Sequence, residues 1–176
     1  MEEVEHKATF NEKGEVVLKK KSNIEKGKKS RAAGLRFESR VRSHWESKNW
    51  AIDKWSNNVD LEKNKISPAK RKYNPFKKVM TIGTGFPDFI GINFIREGIY
   101  GVIGIEVKMN GLLNKEEKEK CRWYLKNNVF SQILIAKKGK KRGEIEHIDF
   151  EEKWLIIYCR LTMPELYMTH IIKTLK

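Results

Sequence analysis

The sequence places Pro87-Asp88 near the start of one apolar run, FPDFIGINFI at 86–95, and Glu106-Val107-Lys108 at the end of a second, IYGVIGIEVK at 99–108. Between them stands Arg96-Glu97-Gly98, a hairpin signal in which Gly98 supplies the positive φ of a tight turn. In an antiparallel hairpin the start of the first strand lies beside the end of the second. Asp88 and Glu106 are each nine positions from Glu97, so the predicted register sets them side by side. Residues i and i+2 of a strand share a face, so Lys108 projects with Glu106. Two carboxylates held close do not both ionise readily unless a cation sits between them, and hard oxygen donors suit Mg2+ or Mn2+. A metal there would acidify a water and clamp a phosphate oxygen, while Lys108 would stabilise developing charge or orient the water. That is phosphodiester hydrolysis in outline.

Context separates this Glu-x-Lys from the other copies at 5–7, 46–48, 116–118 and 151–153, because it alone ends an apolar β run and has a Pro-Asp on the neighbouring strand. Asp is scarce, at positions 53, 60, 88 and 149 against nineteen Glu, so an Asp inside FPDFIGI calls for a reason. The bland alternative is a strand-end cap at Asp88 beside a surface Glu106–Lys108 ion pair. Upstream, Thr81, Gly83, Thr84 and Gly85 form a small hydroxyl-bearing segment whose backbone N–H groups would approach a phosphate; a loop that merely needs flexible dihedrals reads the same way.

The elements that must hold these residues follow from periodicity. Residues 8–20 alternate weakly about an NEKG turn and suggest a hairpin, and KKKSNIEKGKKS reads as a solvated arm. From Ser30 to about Lys48 the pattern is helical, with Phe37, Val41 and Trp45 at i, i+4, i+8 and Glu38 at the margin of that face. Trp50–Ser56 predicts a strand, and Pro68 and Pro75 break a basic segment read as a loop to about Lys78. Asn114 and Glu117 have capping-box spacing for a helix to about Asn128. Strands are predicted at 131–138 and 144–150, then a strand or buried helix at 154–160 and a terminal helix to about Leu175. The order describes an α/β domain with a mixed β-sheet flanked by helices.

The chain of 176 residues has 37 Lys and Arg against 23 Asp and Glu, a net charge of +14 that favours a polyanionic partner, nucleic acid first of all. Residues 19–36, 63–78 and 137–142 together carry more positive charge than the whole chain, so the basicity is concentrated in blocks that suit a phosphate track. Lys28, Lys29 and Arg31 represent the first block, Lys70, Arg71, Lys72, Lys77 and Lys78 the second, and Lys140, Lys141 and Arg142 the third; Thr84 joins them as a DNA-contact candidate. Trp50, Trp55, Tyr73 and Phe76 lie beside or within the second block and would either stack on unpaired bases or fill the core. No apolar run reaches the roughly 20 residues of a membrane helix, and MEEVEHKATF lacks the parts of a signal peptide, so no membrane partner and a cytoplasmic location are expected. Cys121 and Cys159 lack CxxC spacing and read as small core hydrophobes, and His6, His44, His147 and His170 lack paired metal spacing and read as incidental, although His44 is near enough to Glu38 to touch a phosphate.

With GFPDFIGI at 85–92, IEVK at 105–108 and the helix and strand that follow to ILIAKK at 133–138, the chain resembles the PD-(D/E)XK nuclease superfamily, the restriction-endonuclease-like fold, and most of all archaeal Holliday junction resolvases. The likeness extends upstream to GLRFESRVRSHWESKNW at 34–50 and covers about two thirds of the chain, Gly34 to about Phe150. It implies a restriction-endonuclease-like core with Asp88 and Glu106 as metal ligands, the Val107 backbone carbonyl as a further ligand, Lys108 as catalytic lysine, and Glu38 as an additional acid at the metal site. It also implies Mg2+ or Mn2+ as cofactor, DNA as partner and a homodimer, for which the apolar segment 154–172 is the candidate interface. The segment 57–80 is longer than compact resolvases carry there, and the helix after IEVK offers Glu117 and Lys118 where related nucleases often have Gln. On this reading residues 1–29 are a basic arm, hairpin-forming or partly disordered, and 30–176 a single nuclease domain with a basic loop at 57–80. The expected function is a metal-dependent endodeoxyribonuclease, with junction resolution as its specialisation. The alternatives are a restriction-type or repair nuclease on duplex, flap or single-stranded DNA, and a nucleic-acid-binding module whose carboxylates do no chemistry.

Overall fold

The computed structural model describes residues 5–10, 15–69, 71–74, 79–82 and 85–155. They fall into two units, Met1–Arg40 and Val41–Lys176. In the first unit β1 (His6–Phe10) and β2 (Val16–Lys20) form an antiparallel hairpin, and α1 (Lys21–Glu46) starts directly after it. The Lys21 N–H donates to Glu5 O at 3.0 Å, and its ammonium pairs with Glu5 Oε2 at 2.7 Å. Of KKKSNIEKGKKS, expected as a solvated arm, the first two lysines end β2 and the rest is helix with almost every side chain exposed. Lys and Glu are good helix formers, but almost every side chain in this stretch faces solvent, so no apolar stripe announces the helix. The stripe starts only with Phe37, Val41 and Trp45, all buried.

In the second unit the last residues of α1 are followed by β3 (Ala51–Lys54), β4 (Asn57–Asp60), β5 (Lys65–Pro68), β6 (Arg71–Asn74) and β7 (Val79–Ile82). Then come β8 (Phe89–Arg96), β9 (Ile99–Val107), α2 (Lys115–Lys126), β10 (Gln132–Lys138), β11 (Ile145–Asp149) and a π-helical turn, Glu151–Leu155. A five-stranded mixed sheet has the order β11-β10-β9-β8-β3, with β9 and β10 parallel and the other neighbours antiparallel. The expected mixed α/β architecture is thus present. The terminal helix and the candidate interface at 154–172 lie, apart from residues 154 and 155, outside the described residues.

The segment 57–80 is not one irregular loop. β4 pairs with β5 and β6 with β7, two short antiparallel hairpins between β3 and β8. Their four-residue strands are too short for alternation to register, and all but β7 are mostly polar; Pro68 is tolerated because it ends its strand. Val59 and Leu61 of the first hairpin join an apolar cluster with Cys121 and Tyr124 of α2, and with Phe130, Ile133, Ile135 and Phe150. Burying a side chain such as Phe130 contributes about 1.5–3 kcal/mol, and the cluster fixes α2 against one face of the sheet.

β8 and β9 pair as Phe89↔Ile105 and Ile90↔Gly104, a register that extends to Asp88 opposite Glu106. Near the turn it shifts by one residue between Phe94 and Arg96, so a bulge at Ile95 separates a two-residue turn, in which Gly98 has φ 74°, from the site end of the strands. Gly104 has a different purpose. A Cβ there would stand 2.9 Å from Pro87 Cγ, so the missing side chain lets Pro87, and the Asp88 after it, lie close on β9.

Candidate active site

Asp88 directly precedes β8, and Glu106 and Val107 end β9. The Asp88 N–H donates to Glu106 Oε2 at 3.1 Å, and the Val107 N–H donates to Asp88 Oδ2 at 2.9 Å. Each carboxylate therefore accepts a backbone hydrogen bond from the strand of the other. Just past β9, the Lys108 N–H donates to Ala136 O at 2.9 Å, which keeps the lysine on the sheet lattice. Its ammonium lies 3.0 Å from Glu106 Oε1 and 2.6 Å from Glu117 Oε1. Asp88, Glu106 and Lys108 converge as the spacing predicts.

Glu106 is the one charged residue buried among those described, 4% exposed. Burial first, and the Asp88 charge second, push its carboxyl up to about 8, although Lys108 works in the opposite direction. The Lys108 ammonium loses hydration too, but its contacts with Glu117 and Glu106 outweigh that loss and raise its pKa. An acid kept from ionising by burial and by its neighbour's charge is a site that a divalent cation would relieve. Among the described residues no group of three or more His, Cys, Asp or Glu is arranged to hold a metal ion. Mg2+ does not require one, since it binds through one or two carboxylates and retains several waters. The donor chemistry of Asp88 and Glu106 fits Mg2+ or Mn2+, and the Val107 carbonyl is the backbone oxygen between Glu106 and Lys108 in the chain.

The support below the pair was not legible in the sequence. The Phe86–Pro87 peptide is cis. Tyr124 OH donates to Phe86 O at 2.7 Å and accepts Trp55 Nε1–H at 3.1 Å, while the Trp55 N–H donates to Asp88 O at 3.2 Å. Trp55 also packs edge-on against Phe130 and Tyr124 beside the apolar cluster and takes the core reading, while Trp50 is half-buried and packs edge-on against Trp45. At the start of α2, Asn114 and Glu117 form the predicted capping box: Asn114 Oδ1 accepts the Glu117 N–H and Glu117 Oε2 accepts the Asn114 N–H, each at 2.8 Å. That Glu117 also reaches Lys108 had no sequence signal, because the two are joined only through the folded turn between β9 and α2.

Two basic segments leave the sheet at the end that carries the carboxylates. Lys54 pairs with Phe89, so the chain between β3 and β8 departs from and returns to this end. Because Val107 and Ala136 are parallel partners, the turn after β10 emerges there as well. Lys140, Lys141 and Arg142 in that turn are exposed, and its backbone is ordered by carboxylates: the Lys140 N–H donates to Glu146 Oε1 and the Lys141 N–H to Glu144 Oε2. Arg71 and Lys72 lie on β6; their side chains, and all of Lys70, Lys77, Lys78 and Thr84, are outside the described residues, as is Phe76. Lys28, Lys29 and Arg31 are exposed on α1 in the first unit, and Glu38 is a half-buried residue of the same helix and unit.

The histidines are not all isolated. His44 and His147 stack with ring centroids 5.3 Å apart, and Trp45 Nε1–H donates to His147 Nε2 at 3.1 Å. Cys121 is a buried free thiol within the core, as expected, and Cys159 lies outside the described residues. No helix of the described residues is long and apolar enough to cross a membrane. No family model, no curated protein and no solved structure matches this chain.

Proposed function

We propose that the protein is a metal-dependent endodeoxyribonuclease with a restriction-endonuclease-like core, hydrolysing DNA phosphodiesters at Asp88, Glu106 and Lys108. The observation that carries this reading is the reciprocal hydrogen bonding of Asp88 and Glu106, with Lys108 on Glu106, at the sheet end from which two basic segments emerge. Asp88 and Glu106, with the Val107 carbonyl, would hold Mg2+ or Mn2+, and the bound ion would supply Lewis acidity and a more acidic water. Lys108 would neutralise charge that builds on a phosphate oxygen. Lys140, Lys141 and Arg142, and the basic residues between β3 and β8, would bind backbone phosphates and supply affinity without sequence choice.

Within this class the preferred specialisation is resolution of four-way junctions by a homodimer, since paired cuts need two sites. Glu38 enters only through the resemblance, as a further acid. The test is cleavage of labelled four-way junction, flap, single-stranded and linear duplex DNA in excess Mg2+ or Mn2+, with Asp88→Ala alongside. Cutting of one substrate that the variant abolishes supports the reading and identifies the substrate class. DNA binding without cutting, at every metal and temperature tried, overturns it in favour of a binding module.

A further inference from the structure

We infer that Glu117 is a positioning residue for Lys108, holding its ammonium at the carboxylate pair from the first turn of α2; the inference rests on the nuclease reading. The Lys108 ammonium touches two carboxylates, Glu106 Oε1 at 3.0 Å and Glu117 Oε1 at 2.6 Å. They differ in what else holds them. Glu106 is one of the two acids suited to a cation, and an oxygen given to a cation is no longer given to Lys108. Glu117 has no such competing task. Its second oxygen accepts the Asn114 N–H at 2.8 Å, and its own N–H donates to Asn114 Oδ1 at the same distance, so the capping box clamps the carboxylate at the start of the helix.

A lysine side chain gives up rotamer freedom when fixed, and the shorter contact comes from the residue that the capping box holds. The Lys108 and Glu117 side chains are 29% and 17% exposed, so solvent weakens this pair less than it weakens a surface pair. Misplacement of a reacting group by about 1 Å costs on the order of a hundredfold in rate. Glu117 is thus the contact that keeps Lys108 in register whatever Glu106 is bound to.

The test is a double-mutant cycle on DNA cleavage, using Glu117→Gln, Lys108→Ala and the pair in the full chain. Glutamine replaces the carboxylate with a neutral amide of the same shape, so Glu117→Gln removes the charge facing the Lys108 ammonium whichever of the two contacts its single oxygen keeps. The expected result is a fall in kcat of about tenfold to a hundredfold with KM unchanged, and no further fall when the same change is made in Lys108→Ala. Asn114→Ala, which removes the other half of the box and leaves the carboxylate in place, reports what weaker capping alone does to kcat. A second cycle on urea unfolding, run without metal or DNA, should show coupling between positions 108 and 117.

Unchanged kcat in Glu117→Gln overturns the inference. So does an equal fall in the Lys108→Ala background, a fall matched by Asn114→Ala, a rise in KM alone, or absence of coupling in urea. A wild-type protein that cuts no DNA removes the nuclease reading and the inference together, whereas an active enzyme indifferent to Glu117 removes the inference alone.

Discussion

Asp88 and Glu106 are clasped by two backbone hydrogen bonds running in opposite directions, from the Asp88 N–H to Glu106 Oε2 at 3.1 Å and from the Val107 N–H to Asp88 Oδ2 at 2.9 Å. The clasp closes the open end of the β8–β9 hairpin and forces two like-charged groups together, with one of them almost fully buried. A fold selected for stability alone would not favour that arrangement, because burial and repulsion both oppose ionisation of Glu106.

Glu106→Gln should therefore separate stability from function. The amide keeps the shape and an oxygen for the Asp88 N–H, and removes a buried group whose ionisation is opposed. Thermal unfolding in the absence of metal is expected at an unchanged or higher midpoint, while DNA cleavage is lost. A saturating divalent ion, at about 100 times its dissociation constant, should stabilise the wild type by about 2.7 kcal/mol and leave Glu106→Gln and Asp88→Ala unmoved. A metal-induced shift of the same size in all three proteins would place the ion elsewhere.

The basic turn after β10 predicts a graded salt effect. Neutralising Lys140, Lys141 and Arg142 together should weaken binding to junction, duplex and single strand alike, because phosphate contacts carry no sequence information. The slope of log K against log salt should fall by about 0.7 to 0.9 for each phosphate contact removed. An unchanged slope in a binding titration would show that DNA does not pass over this end of the sheet.

Stability should also fall in acid through the histidine pair. Desolvation, with the charges of His44 and Lys48 adding to it, lowers the His147 pKa from 6.5 to about 4. Burial likewise lowers that of His44. A depressed folded-state pKa means that the unfolded chain binds the proton first, so the contribution is complete above about pH 6.5 and is lost as the pH falls toward about 4. Neutral His147 also accepts Trp45 Nε1–H, which protonation at Nε2 would forbid. His147 is not fully enclosed, so after solvent screening about 1 kcal/mol is expected. Melting curves between pH 7 and 4 should fall less steeply for His147→Gln, which retains an acceptor but does not titrate.

The helix cap offers a smaller effect. Asn114→Ala removes the side chain that accepts the Glu117 N–H and should cost about 1 kcal/mol in urea unfolding. Asn114→Ser, which keeps an acceptor, should recover most of it.

The convergence of Asp88, Glu106 and Lys108 was legible because it depends on local arithmetic. A hairpin turn and a period of two place Asp88, Glu106 and Lys108 without any knowledge of the rest of the chain, and the bulge at Ile95 does not disturb them because it lies on the turn side of the site. The capping box was legible for the same reason. Glu117 on Lys108, Tyr124 on Phe86 and His44 against His147 join residues 9, 38 and 103 positions apart in the chain, and nothing in the spacing of such pairs selects them. The start of α1 and the hairpins within 57–82 went unread for another reason. Apart from the four residues of β7, their side chains are largely charged or polar, so the apolar periodicity that marks helix or strand is missing there.

Tyr124 gives the most demanding prediction, since it acts at a distance from the chemistry. Its hydroxyl donates to Phe86 O and accepts from Trp55 Nε1, the ring is fully buried, and Trp55 in turn donates its backbone N–H to Asp88 O. Tyr124→Phe would leave a buried carbonyl and a half-buried indole N–H without this partner, at about 1–3 kcal/mol. If the hydroxyl only supports the core, unfolding moves to lower urea while cleavage per folded molecule is unchanged. If it holds Phe86, Pro87 and Asp88 in place on β9, kcat falls as well, under conditions where circular dichroism shows the variant fully folded. The geometry predicts the second result, because Asp88 is tied to both ends of this network, through Pro87 to Phe86 along the chain and through its own carbonyl to Trp55.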